Sequence, residues 1–190
     1  MYEAIADPYC YPGSDVLRNR QGLLDQAELD EFEAAATTQR ADEPLPKGRL
    51  SVSHYQAVHR HLFQDVYVWA GRFRTVRLAK SGSAFCYPEH IRREMHELFA
   101  GLRAQAFLHG RSLDAFADGA SEFLATLNAI HPFREGNGRT QVIFLALLAD
   151  RADHPLDLEC LAPGPFLDAM VQSFSGNSAP LRDQVKMLIS

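Results

Sequence analysis

Ten residues, His131 to Thr140 (HPFREGNGRT), separate two apolar stretches and leave the chain few ways to fold around them. Upstream, Leu113, Phe116, Ala117, Ala120, Phe123, Leu124, Leu127 and Ile130 recur at helical spacing behind Ser112, a residue suited to cap a helix. Downstream, Thr140 to Arg151 is apolar on every side, as expected of a helix buried on all faces. Two buried helices therefore meet across a turn. Gly136 and Gly138 let its backbone present N–H groups outward, and the second helix adds the positive end of its dipole. The spacing predicts an anion site, above all for phosphate.

The charged residues of the stretch fit that reading. Arg139, in the first turn of the second helix, is poorly placed for the helix dipole unless an anionic ligand is shared with the N–H groups. Glu135 beside a phosphate calls for a bridging cation, and Mg²⁺ held by one carboxylate plus phosphate oxygens is the common arrangement. His131 is the proton acceptor of the stretch that is readily poised near neutral pH. Base, metal holder and phosphate cradle are the roles that follow. Without chemistry, the same residues would read as a helix C-cap followed by a turn.

The stretch resembles the Fic-family signature: His, any residue, Phe, any residue, Asp or Glu, Gly-Asn-Gly-Arg, then two residues and a second Arg. Every specified position from His131 to Arg139 matches, but Val142 stands where the second Arg belongs. The resemblance implies an all-α Fic fold of seven or eight helices with one β-hairpin flap. It implies transfer of AMP from ATP to a Tyr, Ser or Thr hydroxyl of a target protein. His131 would be the catalytic base, Glu135 the Mg²⁺ holder, and Gly136, Asn137, Gly138 and Arg139 the nucleotide and phosphate binders.

The rest of the chain is read as one domain, 1–190, with an N-terminal arm and helix over 1–38, a flap hairpin over 73–87 and the signature over 131–142. Tyr11-Pro12-Gly13, Val16-Leu17, Asn19 and Gly22 resemble the arm of small bacterial Fic toxins. Asp25 caps a helix expected to run to about Thr37, and residues 39–50 form a connector. Ser53 is expected to cap the next helix, on which His54, His59 and His61 read as polar face residues and Trp69 beyond it as core. Thr75 to Leu78 alternate, Lys80-Ser81-Gly82-Ser83 turns, and Phe85 to Tyr87 returns, so a hairpin is expected there. In the resembled family this position is the flap, and Lys80, Ser81, Gly82, Ser83, Ala84 and Phe85 would dock the target as an added strand. Pro88 opens a helix to about Gln105, a connector spans 153–165, and Phe166 to Phe174 forms a last core helix. The tail from Ser175 to Leu181 resembles a segment that closes over adenine, with Asn177 as its binding residue.

Composition excludes some alternatives. With 19 basic and 24 acidic residues the net charge is −5, which argues against nucleic acid and anionic membrane as partners. No apolar run reaches spanning length and no secretory pattern opens the chain, so a cytoplasmic protein is expected. Cys10, Cys86 and Cys160 read as reduced thiols. In related proteins an inhibitory helix carries Ser or Thr, three residues, Glu, then Gly or Asn. The Glu here that precedes Gly or Asn is Glu135 itself, four residues after His131. The resemblance therefore implies a toxin restrained by a small separate antitoxin, acting on a target such as a type II topoisomerase subunit. Two other readings stay open: a Fic fold using another nucleotide or phosphoryl donor, and a silent nucleotide- or partner-binding module in which Val142 has removed activity.

Overall fold

The computed structural model describes residues 7–80 and 83–189. Seven α-helices lie within them: α1 (Gln26–Ala41), α2 (Val52–Phe63), α3 (Pro88–Ala104), α4 (Leu113–Ile130), α5 (Asn137–Arg151), α6 (Pro163–Phe174) and α7 (Ala179–Leu188). Helix starts follow local chemistry. The Asp25 carboxylate accepts from the N–H groups of Ala27 and Glu28 at 2.9 and 3.1 Å, and Ser112 caps α4 through Ala115. Proline stands in the first turn of α3, α6 and α7, where its missing N–H is harmless.

Several boundaries differ from the sequence reading. α1 continues past Thr37 to Ala41, because the Thr37 hydroxyl is satisfied within the helix by the Glu33 carbonyl at 2.7 Å. The cap of α2 is Ser51, not Ser53, which draws Leu50 and Val52 into the core. α5 begins at Asn137, two residues before Arg139. α7 was not expected: Leu181, Val185 and Leu188 bury one face of it behind Pro180. The hairpin is far shorter than 73–87. Its paired strands are β1 (Ala79–Lys80) and β2 (Ser83–Ala84), in the register Ala79↔Ala84 and Lys80↔Ser83. Ser81 and Gly82, at its expected tip, lie outside the described residues.

α4 is the axis of the fold, touching α3, α5, α6 and α7. Where α2 packs against α3 and α5, an aromatic cluster forms: Tyr55 lies 5.4 Å from Phe133 and 5.2 Å from Phe144, and Phe99 of α3 meets both Tyr55 and Phe144. Each such ring removes a large apolar area from water, so the cluster fixes α2, α3 and α5 relative to one another. The loop between α4 and α5 is anchored on that cluster through Phe133, which is fully buried.

Candidate active site

α4 ends at Ile130, and His131 follows in the left-handed conformation at φ 47°, its N–H still bonded to the Leu127 carbonyl at 3.0 Å. A β-carbon makes that conformation unfavourable, so tertiary contacts must impose it. Two residues on, Phe133 stacks on His59 with centroids 3.7 Å apart. Asn137 closes the loop: its Oδ1 accepts from the Phe133 N–H and its Nδ2 donates to the Phe133 carbonyl, both at 2.9 Å. Gly136 is required by two constraints, a φ of 79° and a Phe63 ring that would lie 2.3 Å from any Cβ.

His59 supports the loop from α2. Its Nδ1 accepts the Gly71 N–H at 2.8 Å, which leaves Nε2 to donate to the Glu135 carbonyl at 3.0 Å. The imidazole is fully buried, and burial holds its pKa down at about 3. His59 and His54 are thus interior, hydrogen-bonded residues, a correction to their reading as polar face histidines.

Over the loop lies a cavity of about 360 Å³. His131, Glu135, Asn137, Gly138 and Gln141 border one side of it, with Leu78, Ala79 and Phe85 on the hairpin side and Phe166, Leu167 and Met170 of α6 opposite. Phe85 stacks on the His131 ring with centroids 3.9 Å apart. Glu135 lines the cavity, and its Oε1 accepts the Gly136 N–H at 2.8 Å and lies 3.8 Å from Arg139 Nη2. Gly138 sits in the first turn of α5, where a Cβ would meet nothing, so a ligand can approach the backbone closely. Larger concavities lie at the start of α2, but they lack any such meeting of base, carboxylate and helix N-terminus.

Not every expected residue converges there. Arg139 does not line the cavity: it reaches to α1, where it pairs with Glu33, bonds the Thr37 hydroxyl at 3.2 Å and lies over the Phe63 ring, while its Nη2 stays 3.8 Å from Glu135 Oε1. Asn177 is exposed in the turn before α7 and bonds Gln172. The side chain of Asn137, though it borders the cavity, is committed to Phe133. No group of three or more His, Cys, Asp or Glu suited to a metal occurs among the described residues, so Glu135 would hold a cation only together with ligand oxygens.

A family model described as Fic/DOC matches residues 49–149. The chain belongs to the Fic/DOC family. A protein of Sinorhizobium fredii named probable protein adenylyltransferase y4lH is 55% identical over 189 residues, covering 99% of this chain and 98% of that one. A probable protein adenylyltransferase Fic of Salmonella typhimurium is 32% identical, covering 97% of this chain and 92% of the relative. Among solved structures, BepC of Bartonella tribocorum with bound AMPPNP superposes at TM-score 0.86 with 26% identity, covering 96% of each chain. A Fic domain from Bartonella quintana with bound ADP superposes at 0.87 with 27% identity, covering 96% of this chain and 94% of that one.

Three residues of this Fic domain escaped the sequence reading. Arg134 borders the cavity and pairs with Asp7 at 2.8 Å, yet its place in the signature accepts any residue, which gave no signal. Gln141 is buried at the cavity wall, and its Nε2 finds no hydrogen-bond partner among the described residues. The third, Arg74, binds the backbone carbonyl of His131.

Proposed function

We propose that this Fic-family chain is a protein adenylyltransferase that moves AMP from ATP to a Tyr, Ser or Thr hydroxyl of another protein. The observation carrying this reading is the meeting of His131, the Glu135 carboxylate and the open N-terminal turn of α5 on one cavity. The names of the relatives and the nucleotides in the solved neighbours support it. His131 takes the proton of the target hydroxyl, whose oxygen attacks the α-phosphorus; the bond to the departing pyrophosphate breaks. The amides of Gly136 to Gly138 and the dipole of α5 hold the phosphate oxygens, with Arg139 joining once it leaves Glu33. Glu135 holds Mg²⁺, which when bound neutralises phosphate charge. The hairpin around Ala84 and Phe85 docks the target beside His131.

The finer reading follows the resemblance to small bacterial toxins. The protein acts in the cytoplasm, a separate antitoxin restrains it, and a type II topoisomerase subunit is the first target to test. Incubation with α-labelled ATP, Mg²⁺ and a bacterial lysate should label a protein, with a mass gain corresponding to AMP. His131→Ala should lower labelling on the order of 10²-fold or more while ATP binding persists. Labelling by His131→Ala at the parent rate would remove the base assignment. ATP binding with no transfer at all would favour the silent-module reading that Val142 suggests.

A further inference from the structure

Arg74 is among the largest fully buried side chains of the fold, at 2% exposure, and no carboxylate pairs with it among the described residues. A guanidinium in that position is costly unless its donors are met. Here backbone carbonyls meet them. Nε donates to His131 O at 2.8 Å, Nη1 to Val76 O at 2.5 Å, and Nη2 to Cys86 O at 2.6 Å and Ile130 O at 3.2 Å. Its backbone N–H adds a bond to Pro132 O at 2.9 Å, and the Cys86 N–H reaches Ala129 O at 3.0 Å.

These bonds have a pattern. Carbonyls at the end of a helix lack partners within it and carry the negative end of the dipole. At the end of α4, Arg74 serves as both hydrogen-bond donor and counter-charge, so one side chain holds Ile130, the last residue of the helix, and the left-handed His131 that follows it. The same guanidinium grips Val76, ahead of the first strand of the hairpin, and Cys86, after its second. His131 and the stems of the hairpin therefore share one rigid node. None of these four side-chain bonds reaches residues 135–141, the wall of the cavity formed by Glu135, Gly138 and Gln141.

We propose that Arg74 is a positioning residue for AMP transfer, setting the distance between the His131 imidazole and the hydroxyl that the hairpin presents. The inference rests on the reading of His131 as base and the hairpin as target dock. In that step the hydroxyl proton passes to His131, the oxygen bonds to the α-phosphorus and pyrophosphate leaves. Such a step is sensitive to misplacement, and a shift of about 1 Å can cost about 10²-fold.

The test compares Arg74→Lys and Arg74→Ala with the parent, each normalised to folded protein by thermal melt. Lysine keeps the charge but cannot span four carbonyls with a planar fork. ATP affinity, measured by titration calorimetry, should stay within about threefold, while turnover on a protein target falls at least about tenfold. Methylguanidinium at millimolar concentration should restore part of the turnover of Arg74→Ala and none of that of Arg74→Lys, whose side chain fills the space. Should the alanine variant not fold, the lysine variant decides. A folded Arg74→Lys with parental turnover, or an ATP affinity that falls as much as turnover does, overturns the inference. His131→Ala separates the two levels: if it is inactive while Arg74→Lys is fully active, the positioning role alone is wrong. If it is fully active, the reading of the site fails and this inference with it.

Discussion

The Glu33 carboxylate holds Arg139, the signature arginine, from a helix 106 residues away in sequence. Glu33 also accepts the hydroxyl of Tyr67, which is buried, so one carboxylate serves two donors. Arg139 is 41% exposed in this pair, and solvent screens it accordingly. Glu33→Gln removes the charge that competes with phosphate for Arg139. A partly exposed pair is worth about 0.2–1 kcal/mol, so ATP affinity should rise at most about fivefold. Glu33→Ala should also lower the melting temperature, because Tyr67 loses its acceptor. Calorimetry and thermal melts read both effects; unchanged ATP affinity in Glu33→Gln would mean that Arg139 does not bind phosphate.

Val142 lies one helical turn beyond Gly138, on the face of α5 whose first turn opens to the cavity. It is half-buried and packs against the core, so the valine is accommodated without reaching the cavity. Val142→Arg should add a charge-assisted bond to phosphate, worth about 1.5–3 kcal/mol, and tighten ATP roughly ten- to a hundredfold. Transfer should strengthen with it. An arginine variant with unchanged ATP titration would place position 142 away from the nucleotide.

His59 sets an acid limit on stability. Its folded pKa of about 3 lies below the ordinary histidine value, so between these two pH values the unfolded chain binds a proton that the folded one does not. Its contribution is complete above about pH 6.5 and is lost as pH falls toward 3, with a limiting slope of about 1.4 kcal/mol per pH unit. Urea unfolding at pH 7, 6, 5 and 4 should show that slope. In His59→Gln, stability at pH 7 should be lower but the slope from pH 6.5 to 5 flatter, and an equal slope would exclude His59 as its source.

Gly136→Ala tests the turn directly. The added methyl would lie 2.3 Å from the Phe63 ring at a backbone φ of 79°, so both clash and strain oppose it. A loss of about 2 kcal/mol or more is expected in denaturant titration. Phe63→Leu in the same chain should return the part due to the clash and leave the part due to φ. If Gly136→Ala were as stable as the parent, the left-handed conformation here would be wrong.

The sequence by itself determined the helices around the site and the turn between them. Ser112, the periodic apolar residues of α4, Pro132 and the glycine at 136 act over a few residues, so their signals are local. The resemblance carried by the signature implied the all-helical class, and its residues named the candidates for base, carboxylate and cradle. The tertiary structure decided which of them meet. Arg139 looked like a phosphate ligand because the partner its neighbourhood offers is Glu135, 3.8 Å away and itself at the cavity, yet Glu33 arrives from α1 and pairs with it more closely. His59 looked like a surface histidine because helical spacing does not reveal that Gly71 and Glu135 will present a donor and an acceptor to its ring. Arg74 carries no motif at all: its partners are backbone carbonyls at the end of α4 and beside the hairpin, and a carbonyl looks the same at every position of a sequence. Long-range hydrogen bonds to the main chain leave no residue pattern, so only the folded chain shows how His131 is held.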